Sequence, residues 1–412
     1  MAKRYWVGRA ASVTQVTKVV FSLVTIGATY SVTINGKSVS FTAATAVLGD
    51  LIDALVAAWS SSAEPEHQEM TAARREDPTL SGLQLTGNTA GVPYTVTASA
   101  TSGTATVTQP TVASGPNHWN IAANWDGGTL PAAADDLILR DTEVSVLYGL
   151  TDTTNYASIA IEASYTGSVG LPDTNELDYP EYRSTFLTLG TGSAITVNLG
   201  YGDGTYSPLI RLNTNASNTT ITVFAATANT SASYPIEFKN PGAGSTARIY
   251  GGSVKFDATT SGVLATLDVI ERSNSGATPV VRCTDLVTVT AATCYGGRVL
   301  LENTVTTLIA RESAIVTIAK TAAAATVKVS SNATVYWESS GNITTKLHVE
   351  SFGKMDFSRV GTTKTVAACD LYRDGILLDP IDKVTFTTGV ILMACRIADV
   401  TLDLGVGNTI NG

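Results

Sequence analysis

Cleavage of a glycosidic bond needs two carboxyl groups about 5 to 9.5 Å apart. The second half of this chain offers Asp268, Glu271, Asp285, Glu302, Glu312, Glu338, Glu350 and Asp356. If the chain returns on itself about every twenty residues, Glu338 and Asp356 become neighbours. They would lie beside Tyr336 and Trp337, whose rings could form a platform for a sugar. Tyr336, Trp337, Glu338 and Asp356 are therefore the glycan-site candidates. A competing reading puts both rings on a subunit interface or under a loop. The surrounding region is poor in the aromatic and charged residues that line glycan grooves, which favours that reading.

Other chemistry finds less support. A Ser-His-Asp set needs a histidine, and His67, His118 and His348 all lie away from any GxSxG turn. His67 stands among glutamates, but the run Glu64, Glu66, Glu69, Arg74, Arg75, Glu76, Asp77 reads as a solvated connection. Asp135-Asp136 offers oxygen ligands to Ca²⁺, although an acidic turn before a strand is commonplace. Gly200-Tyr201-Gly202-Asp203-Gly204 precedes no helix, so it does not read as a phosphate cradle. Cys283, Cys294, Cys369 and Cys395 lack metal spacing and read as small buried hydrophobes. The expectation is a non-enzyme with no catalytic residues, no cofactor and no metal.

The 412 residues are 44% hydrophobic but only 15% charged, against about 25% charged in an average globular protein. Thr, Ser, Ala, Val and Gly fill the difference, a mixture suited to sheets. Twenty-six basic and 35 acidic residues leave a net charge of −9. Without a basic cluster, neither nucleic acid nor an anionic membrane is an expected partner. The opening Met-Ala-Lys-Arg-Tyr-Trp-Val-Gly-Arg has no apolar core of secretory length, which points to synthesis in the cytoplasm.

The expected fold is mainly β: a C-terminal β-solenoid, a parallel β-helix-like rod, preceded by a small α+β domain of sheet plus one helix. Residues 1–15 read as an N-terminal arm, 16–110 as the α+β module, 111–183 as linker and solenoid cap, and 184–412 as the rod. In the module, Tyr30 to Ile34 and Lys37 to Phe41 alternate around Asn35-Gly36, a strong type I′ hairpin signal. A helix from about Ala46 to Ser60 follows, with Leu48, Leu51, Ile52, Leu55, Val56 and Trp59 on one face and Thr45 as its N-cap. From Ser184 onward, short β-prone runs alternate with Gly, Ser, Asn and Thr. Val316 to Val335, Val327 to Leu347 and Val335 to Met355 repeat at about twenty residues, one solenoid turn. That period predicts roughly ten turns and a rod of about 50 Å. Trp119, Trp125 and the strand at Leu137 are placed to close the first end, and the strands from Ile376 to Leu402 the other.

Two separated pieces resemble one pattern of phage structural proteins and related bacterial surface β-solenoids. They are Arg4-Tyr5-Trp6-Val7-Gly8, and then Asn124-Trp125, Gly127-Gly128, Pro131 and Asp135-Asp136. The module between them, with its Thr33 to Ala43 hairpin, is similar to one that recurs in phage structural and adhesion proteins. The simplest account is a module inserted or appended in a solenoid protein. The resemblance implies a virion-type role. The expected function is a non-catalytic capsid decoration or head-fibre protein, a β-helical homotrimer bound to the major capsid protein or another virion protein. The alternatives are a tail fibre or tailspike that binds or cleaves host surface glycan, and a bacterial surface solenoid.

Overall fold

Runs such as Ile315–Ile318 and Thr334–Trp337 send two apolar side chains to the buried face, the two-residue period of a strand. Ile315–Ile318, Thr334–Trp337 and Lys354–Asp356 show how the runs stack: Val316 pairs with Val335, and Val335 with Met355, in parallel register. Val327 likewise pairs with Leu347. All three expected repeats are thus direct strand neighbours. In the computed structural model, residues 2–75, 82–190, 194–200, 208–225, 234–271, 278–405 and 407–411 are described, and the counts below are of these.

Two parallel sheets form the rod, one of 16 strands and one of 11. Their inner faces share one core, which runs from Trp6 to Val390. The main path of the larger sheet has fourteen strands, which at about 4.8 Å per step make a stack about 60 Å long. From Leu187 to Asp356 the strands alternate between the two sheets, one in each per turn. Ile159, Ile195, Ile221, Ala247, Leu267, Ala292, Leu308, Val327 and Leu347 succeed one another along one inner column of the larger sheet.

The rod begins before residue 184. Lys3–Trp6 is the first strand of the larger sheet, paired residue for residue with Asp136–Leu139, which in turn pairs with Ser158–Ile161. The expected N-terminal arm is therefore a rung of the rod, and the module is inserted between the first rung and the second. A strand only four residues long, bonded to a partner more than 130 residues away, leaves no local period to read. Longer connections hide the period again between Leu139 and Ala194. At the far end, Ile376–Leu378 and Thr401–Asp403 extend the smaller sheet while Val390–Met393 and Ile410–Asn411 extend the larger. These strands continue the stack rather than folding across its end.

The module has its own core of sheet and helix. Thr29–Ile34 and Lys37–Thr42 form the expected hairpin, with Asn35 at φ 47° and Gly36 at φ 74° as a type I′ turn requires. The helix is Leu48–Ser60 and buries Leu51, Ile52, Leu55 and Trp59; Leu48 and Val56 are half-buried. Thr45 is not its N-cap. Val47 holds that position, and the Thr45 hydroxyl donates instead to Asp50 Oδ2 at 2.7 Å. The charged stretch after the helix is also more than a solvated connection. Pro65–Glu69 is a short 3₁₀ turn that buries Glu66 and His67, and Met70–Arg75 is a strand of a four-stranded antiparallel sheet. Met70 and Ala72 alternate inward while the charges face out, so the charge run concealed a half-buried strand. Glu76 and Asp77 lie outside the described residues.

Candidate functional site

The candidate residues near Tyr336 do share one face of the stack, with one exception. Tyr336 and Asp356 are register partners on adjacent rungs. Trp337 is the correction: alternation turns it inward, where it is fully buried, lies 6.3 Å from the Phe357 ring and donates to Gly341 O. It can offer no ring to a sugar. The Tyr336 ring is covered by Arg359, 4.1 Å from its centroid, with Lys354 at 5.7 Å. Glu338 is bound by Arg359 at 2.9 Å, and Asp356 by Lys354 at 2.9 Å. Burial alone would raise the Asp356 pKa, but hydrogen bonds from Ser358 and Lys354 outweigh it and hold the carboxyl below its ordinary value. A glycosidase needs one carboxyl kept protonated. Asp356 is held in the opposite state, and both acids are already neutralised by cations.

The residues that carry the resemblance converge on the first rung. Trp6 is stacked against Trp119 at 6.1 Å and edge-on to Trp125 at 5.4 Å. Trp125 Nε1 donates to Trp119 O, Trp119 Nε1 to Asp152 Oδ2, and Trp6 Nε1 to Val144 O. Val7 N and Gly8 N both donate to Asn124 O, and Tyr5 N donates to Asp126 Oδ1. Gly8, at φ 58°, packs so close to Val144 that a Cβ would strike its side chain. Asp135 accepts from Ala2 N, Ala132 N and Arg4 Nε, and these bonds hold its pKa below the carboxylate norm against the opposing effect of burial. Its oxygens are therefore committed to backbone and guanidinium. Among the described residues no group of three His, Cys, Asp or Glu could hold a metal ion. The motif covers the open edge of the first strand, the place where a β-stack is exposed to wrong pairing.

The remaining candidates are structural. His67 lies 4.5 Å from the Trp59 ring, its nitrogens against Ser62 Oγ and Lys37 O. His118 Nε2 contacts Gly91 O at 2.7 Å. Cys283, Cys294 and Cys369 are buried and free, and burial pushes the Cys294 thiol up to about 12. The glycine loop at 201–204 lies outside the described residues.

A denser cluster stands where the module meets the rod. Arg183 Nη2 pairs with Glu69 of the module at 2.8 Å, and its Nε with Glu181 at 2.8 Å. The guanidinium lies over the rings of Tyr182 and Tyr94, at 4.8 and 5.8 Å. Burial disfavours its charge, but the bonds and charges of Glu181 and Glu69 more than offset this and hold its pKa above the arginine norm. Tyr182 donates to Glu69 Oε2 at 3.1 Å. This cluster escaped the sequence reading. Its available signal was local: Leu177-Asp178-Tyr179-Pro180-Glu181-Tyr182-Arg183 packs two tyrosines and three charges into seven residues.

Comparison with known protein families, with curated proteins and with solved structures finds no match to this chain.

Proposed function

We propose that this chain is a non-catalytic structural protein of a phage virion. In this reading it is a capsid decoration or head-fibre protein, assembled in the host cytoplasm and attached as a β-helical homotrimer to the major capsid protein or another virion protein. The observation that carries the reading is the use made of the shared motif. Arg4, Trp6, Gly8, Asn124, Trp125 and Asp135 all serve to start and cover a rod. What resembles a virion protein here is thus the device for building a stiff projection, with no chemistry attached to it.

The rest of the rod supports the same reading. Its interior is filled by side chains. Its outer acids are neutralised along the rungs: Glu237 with Arg211 and Lys255, Glu302 with Arg282 and Lys320, Asp370 with Lys346. One outer column of the larger sheet reads Ala194, Thr220, Thr246, Thr266, Ala291, Thr307, Thr326, Lys346. Seven of these eight are Ala or Thr, while the next outer column carries Arg248, Asp268, Lys328 and His348, so a second copy lying here would meet short side chains flanked by charge. The Tyr336 rung adds nothing to the tailspike alternative.

The isolated chain should sediment at three times its own mass, and purified particles should contain it in a fixed ratio to the major capsid protein. A monomer at micromolar concentration would overturn the trimer. Absence from washed particles would overturn the virion assignment.

A further inference from the structure

The junction of module and rod is open as well as cross-linked. Two adjoining hollows of about 440 and 390 Å³ share Leu147, Tyr148 and Arg183 in their walls. Each falls in the range of small-molecule sites, about 300–1,000 Å³. One wall comes from the module, including Tyr94; the other comes from the rod, including Asn117, Tyr148, Asn175 and Glu181.

The lining combines flat rings with unused hydrogen-bonding groups. Tyr148 is half-buried, its ring set against His118 at 5.2 Å, and among the described residues its hydroxyl has no hydrogen-bond partner. Burial raises its pKa to about 12, so it remains a neutral donor. Asn175 Oδ1 accepts from Leu177 N and Tyr179 N, which fixes the amide plane. The Nδ2 of the same amide is buried without a partner. A buried donor left open in this way carries a desolvation cost. A ligand that supplies acceptors would recover part of that cost.

Charge narrows the ligand. Among the described residues Arg183 is the one cation in either wall, and Glu69 and Glu181 already neutralise it. Glu176 adds a further negative charge. Sulfate, phosphate or uronate groups would therefore be repelled. Groups that stack a C–H face on a phenol and both donate and accept hydrogen bonds are favoured.

We propose that the cleft between module and rod binds a neutral oligosaccharide, with the Tyr148 ring as its platform and the Tyr148 hydroxyl and Asn175 amide as donors to its oxygens. This is a binding site independent of where in a particle the chain sits, and it is remote in sequence from the Tyr336 rung.

Saturation-transfer NMR and calorimetry on the full chain test it, with tri-N-acetylchitotriose and maltotriose as neutral probes and a sialylated trisaccharide as the anionic one. At least one neutral probe should bind. Tyr148→Ala should weaken that binding tenfold or more, while Tyr336→Ala leaves it unchanged. Tyr148→Phe keeps the ring, removes a hydroxyl with no internal partner among the described residues and should weaken binding several-fold without moving the melting temperature, so the test survives if Tyr148→Ala fails to fold. No transfer to either neutral probe, preference for the anionic probe, or binding that survives both cleft substitutions would overturn the proposal.

Discussion

In the module, the helix Leu48–Ser60 lies on antiparallel strands, and its sheets are closed by long-range pairings such as Val16–Phe21 with Ala105–Thr111 and Thr29–Ile34 with Val96–Ala100. In the rod, each strand bonds only to the strands one turn before and after it. The module must close one core all at once. The rod adds rungs, each supported by its neighbours, so its stability is approximately a sum of rung and interface contributions. A defect inside the rod should therefore be felt locally, whereas a defect at the first rung, or at the module junction, removes a boundary the rest depends on.

That contrast can be broken most forcibly at the cap. Trp125→Ala removes a fully buried indole and its bond to Trp119 O, and should cost near the upper end of the about 3–5 kcal/mol typical of large aromatic deletions. Thermal unfolding should then show the whole rod destabilised and more prone to aggregate. Trp337→Ala should cost about 3 kcal/mol, and hydrogen exchange should rise only in the rungs around Ile318, Phe357 and Gly341. A global rise would deny the rung-by-rung picture.

Arg183→Ala tests the junction. It strands Glu69 and Glu181 without their cation, and should cost about 2–3 kcal/mol, somewhat less than the about 3–5 for a fully buried pair. Exchange should rise first on the module side, around Glu69 and Tyr94. If the module melts unchanged, the junction is not what fixes it to the rod.

Acid should act on both regions with one sign. Burial lowers the pKa of His118 and of His348 in the fold, so the unfolded chain binds those protons more readily. Asp135 and Asp356 are held below their ordinary values by hydrogen bonds and cations, against burial. All four contribute stability that is present above their unfolded pKa values and lost as pH falls through the folded ones. The melting temperature should decline below about pH 6.5, where free histidine titrates, and fall faster near pH 4. Asp379, raised by burial, has the opposite sign: its contribution is present at low pH and lost as pH rises. A melting temperature that rises on acidification would contradict this balance.

The smallest effect belongs to the rung first suspected of chemistry. Glu338→Gln breaks an exposed pair with Arg359 and should move the melting temperature by less than about 2 °C. Beside it, Trp337→Ala should be severe. One residue's step along a strand exchanges solvent for core.

Legibility followed the distance between partners. The Asn35-Gly36 hairpin and the helix were readable because their signals are contiguous. The twenty-residue period was readable between Val316 and Met355 because turns there are short and regular. Lys3–Trp6 looks like an arm in the sequence because its partner, Asp136–Leu139, is separated from it by the whole module. Trp337 was assigned to the surface because its strand face cannot be told until one knows which neighbours, Val335 and Phe357, point inward with it. The Arg183 cluster joins residues over a hundred positions apart, so only the local crowding of tyrosine and charge hinted at it.

The most direct test of the account is cryo-electron microscopy of purified particles at a resolution that traces this chain. A three-fold rod with a stack about 60 Å long, repeated over the capsid lattice, is the predicted result. Its cap of Trp6, Trp119 and Trp125 should lie at one end. Density confined to the tail tip, or particles without the chain, would contradict it.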